Sequence, residues 1–301
     1  MNIGIIGGGS IGLLFSYYLS QSANVTLYTR TAEQAKKINE EGLYCYQRER
    51  VIHTRIAAKP FEFWKGQEEI TLVTVKQYQL AQVLENIANQ SNHKSNSCYL
   101  FLQNGMGHIR PLKKLTSYNI FVGSVEHGAY RNGENSVVHN GNGVTRIALL
   151  NGDKALLDDF ITLGSDSFPI VIEDNYDDML IKKLIVNSMI NPLTAILKVP
   201  NGALIKNESF YTILMNVFKE LKLILNLENP DDDFAHVLAI CEKTANNRSS
   251  MLKDLDQNQE TEIDAILGYV LEEAELKGMK APLINMLYLL IKGISNQKGA
   301  E

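Results

Sequence analysis

The feature that most constrains this fold is a glycine-rich stretch near the start of the chain. The short apolar run Ile3–Ile6 is followed at once by Gly7-Gly8-Gly9-Ser10-Ile11-Gly12, which fits the pattern G-x-G-x-x-G. An apolar run before the glycines and a helical pattern after them predict a strand, a tight turn and a helix. In such a unit the glycines let a pyrophosphate approach the backbone at the helix N-terminus, where free N–H groups favour negative charge. We therefore predict that these six residues bind a dinucleotide; a glycine turn without a ligand is the alternative.

Apolar runs and helical patterns alternate through the first half of the chain, as expected for a parallel sheet wound with helices. The predicted strands are 3–6, 24–28, 70–75, 99–102, 120–125 and 169–172, and the predicted helices are 11–20, 32–41, 80–89 and 153–165. Two further β-rich runs, Val137–His139 and Thr145–Leu149, are expected to extend the same sheet with antiparallel character.

After Asp174 the pattern changes, because helical periodicity replaces the strand signals. The predicted helices are 177–198, 208–227, 232–246, 260–277 and 281–293. The sequence thus predicts an α/β protein with an N-terminal Rossmann-type doubly wound sheet over residues 1–173 and an all-helical C-terminal domain over residues 174–301.

Composition excludes several classes of protein. The net charge is −5, and no dense basic cluster is present that could follow a phosphate backbone, so nucleic acid is not an expected partner. Cys45, Cys98 and Cys241 lie far apart without metal-ligand spacing, which favours reduced thiols in a cytoplasmic protein and no metal site. The N-terminus lacks a signal-peptide pattern, and the apolar stretch Ile284–Ile291 is too short to span a membrane, so no membrane partner is expected.

The end of the second predicted strand indicates which nucleotide binds. An enzyme that uses NAD usually places Asp or Glu there to bind the ribose hydroxyls. This chain instead has Tyr28-Thr29-Arg30-Thr31. A guanidinium can pair with a 2′-phosphate and stack on the adenine, and the two threonines can add hydroxyl contacts. NADPH is therefore the predicted cofactor, with Arg30 as its phosphate contact; an ordinary exposed arginine is the alternative.

A polar stripe lies on the first predicted helix of the second domain. Lys183, Asn187 and Asn191 are spaced i, i+4 and i+8 among apolar neighbours, so they share one face of the helix. Buried polar groups cost free energy unless they are paired, which points to a site, although a solvated face explains any one of them. Asn191 precedes Pro192, where we expect the helix to kink or end. Further on, Ser249 and Ser250 can be helix caps and Glu262 a first-turn acid, and the residues alone do not decide against those readings.

Several longer motifs add a resemblance that covers nearly the whole chain. They are the glycine turn, Thr74-Val75-Lys76, Gln103-Asn104-Gly105-Met106-Gly107, the block from Lys183 to Ala195, Pro200-Asn201-Gly202, Ser249-Ser250-Met251 and Thr261-Glu262-Ile263-Asp264. In order and spacing they resemble the ketopantoate reductase family (2-dehydropantoate 2-reductases). The block from Lys183 and the block from Gln103 are far more specific than the glycine turn. One departure is Leu267, where family members often carry Asn.

The resemblance implies a reaction and a set of roles. The family reduces the C2 ketone of 2-dehydropantoate to pantoate on the route to coenzyme A, in a fold whose helical domain is like that of 6-phosphogluconate dehydrogenase. By this resemblance Lys183 is the general acid and Glu262 its acidic partner, while Lys76 and Asn104 lie on the cofactor side and help to hold the nicotinamide and the substrate. The residues implied to bind the substrate's carboxylate and hydroxyl groups, besides Asn104, are Asn187, Asn191, Asn201 and Ser250.

Three hypotheses follow for the function. The first is the NADPH-dependent reduction of ketopantoate, the second is a related reductase acting on another small 2-keto acid, and the third is a catalytically silent NADPH-binding regulator. The third has no need of a lysine, a glutamate and several amides together. The oligomeric state is open, since the apolar stripes of the helical domain fit either a core or the face of a homodimer.

Overall fold

The computed structural model describes residues 1–48, 50–89 and 97–298. The chain forms two compact units. The first comprises Met1–Gln103 and Ile109–Met179, and the second comprises Asn104–His108 and the chain from Leu180 onward. The functional division that we place at residue 173/174 stays a prediction.

The first unit is built on two sheets. In chain order the described strands are β1 (Asn2–Ile6), β2 (Asn24–Thr29), β3 (Leu43–Gln47), β4 (Arg50–Thr54), β5 (Ala57–Pro60), β6 (Ile70–Val73), β7 (Cys98–Phe101), β8 (Asn119–Val125), β9 (Gly128–Gly133), β10 (Ser136–Gly141), β11 (Thr145–Asn151) and β12 (Ile170–Glu173). The larger sheet has the order β12-β11-β8-β7-β6-β1-β2-β5, and the smaller one β4-β3-β10-β9. In the larger sheet all pairs are parallel except β8 with β11.

The central strands are continuous apolar runs because both of their faces are covered. Ile5, Leu72 and Leu100, from β1, β6 and β7, are fully buried. The helices of this unit are α1 (Ser10–Leu19), α2 (Ala32–Glu41), α3 (Leu80–Asn89), α4 (Ile109–Leu112) and α5 (Ala155–Ile161). The register pairs Ile3 of β1 with Val25 of β2 on one side and with Ile70 of β6 on the other. This arrangement places the glycine turn after β1 at the carboxyl edge of the sheet.

The placement of one β-rich run differs from the prediction. Thr145–Leu149 joins the larger sheet antiparallel to β8, as expected. Val137–His139 does not, because β10 pairs in parallel with β3 and antiparallel with β9 in the smaller sheet. Its side chains Val137 and His139 are buried in this position, and β10 contacts α1. Alternation of apolar and polar residues along a strand indicates that one of its faces is buried, but it does not indicate which strand pairs with it.

The second unit is helical throughout its described part. Its helices after α6 (Tyr176–Leu197) are α7 (Ala203–Lys206), α8 (Glu208–Ile224), α9 (Pro230–Lys243), α10 (Ser250–Asp256), a π-helix at Asp264–Gly268, α11 (Tyr269–Leu276) and α12 (Pro282–Lys298). Of the two outcomes expected at Pro192, a kink or an end, the helix does not end there, since α6 continues to Leu197. Thr194 donates from Oγ1 to the Ile190 carbonyl oxygen at 2.7 Å, within the turn that the proline interrupts. By length and composition α6 could cross a membrane, but 61% of its most apolar window is buried inside the protein.

Candidate active site

The glycine turn has the geometry that its sequence requires. Gly7 has φ +114°, in the region that side chains disfavour, and its N–H donates to the Tyr28 carbonyl oxygen at 2.9 Å. A Cβ on Gly12 would lie 1.8 Å from the Gly7 carbonyl oxygen, so only glycine allows this approach of helix to turn. A Cβ on Gly9 would meet no atom within 4 Å. The backbone is thus tightly packed at Gly7 and Gly12 and open at Gly9, as a pyrophosphate cradle requires.

Two side chains outside the motif brace this turn. Thr74, which follows β6, has its Oγ1 3.0 Å from the carbonyl oxygens of both Ile6 and Gly7 and shares its single hydrogen between them. Gln34 of α2 donates from Nε2 to the Gly8 carbonyl oxygen at 2.8 Å. Neither side chain was predicted to support the turn, although Thr74 lies within the motif Thr74-Val75-Lys76.

The N-terminus of α1 is open to an anion. Gly9 is its N-cap and supplies no side-chain hydrogen bond, and the first turn of the helix carries no acidic residue. Ser10 and Ile11 are half-buried in that turn. Orphan N–H groups at such a terminus, together with the helix dipole, attract a phosphate.

The three residues at the end of β2 that were assigned to the nucleotide differ in their exposure and in their hydrogen bonds. Thr29 is fully buried and donates from Oγ1 to the Thr31 carbonyl oxygen at 2.8 Å. Thr31 is the N-cap of α2, where its hydroxyl accepts from the Gln34 N–H at 3.3 Å. Arg30 is exposed between them. The threonine hydroxyls therefore hold the turn, and the guanidinium is the group presented outward. Lys76 is half-buried just after β6, at the start of a 3₁₀ turn.

Within the second unit, Asn104 and Glu262 form a direct pair. Asn104 donates from Nδ2 to Oε2 of Glu262 at 2.8 Å, and both side chains are half-buried. The next residue, Gly105, has φ +76°, and a Cβ there would lie 2.0 Å from the Ala265 carbonyl oxygen. That oxygen also accepts from the Met106 N–H at 3.2 Å. The segment that carries Asn104 is thereby docked on the first turn of the π-helix that follows Glu262.

The predicted stripe lies on α6. Lys183 and Asn187 are half-buried, and Asn191 is 8% exposed. Beyond it on the same helix, Thr194 Oγ1 and Ser249 Oγ are hydrogen-bonded at 2.8 Å. Ser249 is also the N-cap of α10 and accepts from the Leu252 N–H at 3.2 Å. The start of α10 is thereby tied to α6 within one turn of Asn191.

Asn201 and Ser250 are the remaining members of the predicted set. Asn201 is 8% exposed, and its backbone N–H donates to the Asn247 carbonyl oxygen at 3.0 Å. Its side-chain Nδ2 donates to Thr244 Oγ1 at 2.9 Å. Ser250 is exposed as the first residue of α10. The stretch 244–250 thus runs beside the turn that holds Asn201 and reaches α6, which brings the segments of Asn191, Asn201 and Ser250 together.

The predicted residues fall into both compact units. The glycine turn, Arg30 and Lys76 lie in the first unit. The second unit holds Asn104, Lys183, Asn187, Asn191, Asn201, Ser250 and Glu262. Among the described residues, no three His, Cys, Asp or Glu side chains come together in an arrangement that would hold a metal ion.

The first unit has a sheet with a glycine-rich turn after its first strand, and the second is a helical unit that carries several amides, a lysine and a carboxylate. These features define a class of protein, the nicotinamide-dependent oxidoreductases. Two family models match the chain, "Ketopantoate reductase PanE/ApbA" over residues 3–152 and "Ketopantoate reductase PanE/ApbA C terminal" over residues 175–295. The chain belongs to the ketopantoate reductase PanE/ApbA family, and the resemblance found in its motifs is confirmed.

Curated relatives match over the full length. The 2-dehydropantoate 2-reductase of Bacillus subtilis (strain 168) is 41% identical over 296 residues, 98% of this chain and 97% of the relative. That of Listeria innocua is 34% identical over 99% of this chain and 98% of the relative. Homology at this level confirms the predicted enzyme class, an oxidoreductase acting on a CH–OH group as a 2-dehydropantoate 2-reductase.

Solved structures agree with the predicted fold class. A probable 2-dehydropantoate 2-reductase from B. subtilis has a TM-score of 0.87 at 41% identity and covers 98% of this chain and 100% of its own. A D-mandelate dehydrogenase solved with NADH has a TM-score of 0.86 at 25% identity, with 99% of each chain covered. A sheet domain of Rossmann type followed by an all-helical region is confirmed as the fold.

Proposed function

We propose that this chain reduces 2-dehydropantoate to pantoate with NADPH, in the cytoplasm, as a step of pantothenate and coenzyme A biosynthesis. The observation that carries the residue roles is the 2.8 Å hydrogen bond from Asn104 to Glu262, in the unit that also carries the Lys183 stripe. It fixes a carboxylate beside an amide in a half-buried setting, where electrostatic interactions are stronger than in water.

The proposed roles follow from the charge that develops in the reaction. When bound, the nicotinamide cofactor supplies a hydride to the C2 carbon of the ketone. Negative charge then develops on the carbonyl oxygen, and the Lys183 ammonium stabilises that oxygen and gives it a proton. Glu262 favours the charged form of the lysine, since an opposite charge nearby stabilises it. Asn104 orients Glu262 by donating to one of its oxygens.

The remaining polar residues are proposed to bind the substrate. Asn187, Asn191, Asn201 and Ser250 supply neutral hydrogen-bonding groups from α6, the turn after it and the start of α10. Neutral amides and hydroxyls orient a small anionic substrate without adding charge. Asn104 and Lys76 are proposed to contact the nicotinamide side as well as the substrate.

The choice of NADPH rests on Arg30. It is exposed at the end of β2, where the neighbouring threonine hydroxyls are engaged with the backbone, and no acidic residue occupies the strand end. The test compares Michaelis constants for NADPH and NADH in the unmutated enzyme and in Arg30→Ala. We expect the variant to lose most of the preference for NADPH, while Arg50→Ala, an exposed arginine on β4, keeps it. Equal use of the two cofactors by the unmutated enzyme contradicts the assignment.

A second candidate is a reductase of another small 2-keto acid, favoured by the fold shared with D-mandelate dehydrogenase at 25% identity. The discriminating experiment follows NADPH absorbance with purified protein and a panel of 2-keto acids that includes ketopantoate and phenylglyoxylate. A higher kcat/KM for ketopantoate than for every other acid supports the first proposal. A clear preference for another acid replaces it with the second.

We propose no membrane and no nucleic-acid partner, and the burial of most of α6 supports its role as a core helix. A ketopantoate reductase from Staphylococcus aureus is dimeric, which is a property of that protein. For this chain a homodimer remains a proposal, which sedimentation velocity or light scattering measures directly.

A further inference from the structure

The side chain of Asn201 is held by one of its two polar atoms only. The residue is 8% exposed, and its Nδ2 donates to Thr244 Oγ1 at 2.9 Å. Its Oδ1 is shielded from solvent and has no hydrogen-bond partner among the residues that the structure describes. A buried carbonyl oxygen left unpaired costs about 1–3 kcal/mol, so its persistence indicates a ligand that brings a donor.

Thr244 determines which polar atom of the Asn201 side-chain amide is left to bind a ligand. Its hydroxyl donates to the Ile240 carbonyl oxygen at 2.6 Å, one turn earlier on α9. A hydroxyl has a single hydrogen, so once that hydrogen is committed, Thr244 Oγ1 can only accept from Asn201. The amide nitrogen must therefore face Thr244, and the amide oxygen must face away from it. The backbone of Asn201 cannot compensate by shifting, because its N–H is bonded to Asn247 and the next N–H to Ala245.

We propose that Thr244 is a positioning residue for substrate specificity: it orients Asn201 so that the substrate atom bound there must be a hydrogen-bond donor. A hydroxyl satisfies this requirement. A carboxylate does not, because it would set its oxygens against Oδ1. Of the groups on ketopantoate, only the C4 hydroxyl is a donor. This inference rests on the proposed function and narrows it, since it assigns Asn201 to the hydroxyl and leaves the carboxylate to other residues.

The test uses two substrates that differ in one atom. Ketopantoate and 3,3-dimethyl-2-oxobutanoate share a carbon skeleton, a ketone and a carboxylate, and only ketopantoate has the C4 hydroxyl. We measure kcat/KM for both with the unmutated enzyme, Thr244→Val, which removes the hydroxyl, and Thr244→Ser, which keeps it. We expect Thr244→Val to lower the preference for ketopantoate about tenfold, mainly through its KM, which corresponds to about 1.4 kcal/mol. Thr244→Ser keeps the preference of the unmutated enzyme.

The outcomes are distinguishable. A purely structural role for Thr244 lowers activity on both substrates alike, so an unchanged ratio in Thr244→Val overturns the proposal. A ratio near one in the unmutated enzyme overturns it too, while leaving the ketopantoate reductase activity intact. Failure of the unmutated enzyme to reduce ketopantoate contradicts the proposed function itself. If Thr244→Val does not fold, Thr244→Ala carries the same expectation, and a thermal melt of each variant decides which of them is measured.

Discussion

At the scale of single residues, the hydrogen bond between Asn104 and Glu262 holds two segments of the candidate site together. Asn104 and Glu262 lie 158 positions apart and were assigned to the site separately through motif resemblance. Their hydrogen bond was not predictable, because it depends on Gly105 fitting against Ala265, a contact between segments distant in sequence. The conformation of the glycine turn, by contrast, was predictable because Gly7, Gly9 and Gly12 lie within one short segment, whereas its distant support from Thr74 was not.

Two glycines of that turn separate stability from binding. We expect Gly12→Ala to destabilise the fold severely, because its Cβ would lie 1.8 Å from the Gly7 carbonyl oxygen. Gly9→Ala meets no atom and should change the free energy of unfolding by less than about 1 kcal/mol, mainly as an N-cap effect. Because we propose that the pyrophosphate approaches the backbone at Gly9, we expect the added methyl group to raise the Kd for NADPH at least tenfold, as measured by calorimetry. Unchanged NADPH affinity in Gly9→Ala would show that the dinucleotide does not approach this turn.

Lys183 and its neighbour Lys182 form a matched pair for catalysis. Lys183 is half-buried on the proposed site face of α6, and Lys182 is exposed. We expect Lys183→Ala to lower kcat by about 10²–10⁴-fold, the usual contribution of general acid catalysis, and to leave the Kd for NADPH nearly unchanged. Lys182→Ala should keep full turnover. Near-normal turnover of Lys183→Ala in a stopped-flow or steady-state assay removes this lysine from the mechanism.

At the scale of elements, the order of helices and central strands was predictable, and the partner of an isolated strand was not. The central strands are apolar on both faces, a signal present in each strand by itself. The position of β10 depends on β3, about 90 residues earlier, and β3, β4 and β5 carried no signal strong enough to be predicted. The short helices α7 and α10 were missed for a related reason, since each has fewer than eight residues and so shows little periodicity.

The start of α10 distinguishes a capping serine from a substrate-binding one. Ser249 caps the helix through the Leu252 N–H and is buried against Thr194, so Ser249→Ala should lower the free energy of unfolding by about 1 kcal/mol or somewhat more. Ser250 is exposed at the first helical position, so Ser250→Ala should leave stability unchanged and raise the KM for ketopantoate. Urea denaturation and steady-state kinetics on both variants test the pair. The reverse pattern would assign the binding role to Ser249.

At the scale of the whole molecule, each compact unit contains buried histidine that makes stability depend on pH. Burial lowers the pKa of His108, in the helical unit, to about 3, and neither of its ring nitrogens has a hydrogen-bond partner in the described part of the chain. Burial, with a smaller contribution from His139, lowers the pKa of His127, in the sheet unit, to about 4. Both are neutral in the folded state, whereas the unfolded chain takes up protons below about pH 6.5. The stability these groups provide is therefore complete above pH 6.5 and is lost as the pH falls toward their folded pKa values.

This dependence can be assigned to one histidine with a single variant. For each proton that only the unfolded state binds, the free energy of unfolding falls by about 1.4 kcal/mol for every unit by which the pH is lowered, between roughly pH 6 and 4. His108→Leu removes one such proton and also the two unpaired ring nitrogens, so its urea midpoint should vary less with pH than that of the unmutated protein. Because a chain with two compact units need not unfold in a single step, the comparison uses the transition of the helical unit, which hydrogen exchange of α8 and α12 identifies. An identical pH slope for His108→Leu and the unmutated protein would show that His108 binds a proton in the folded state as readily as in the unfolded one.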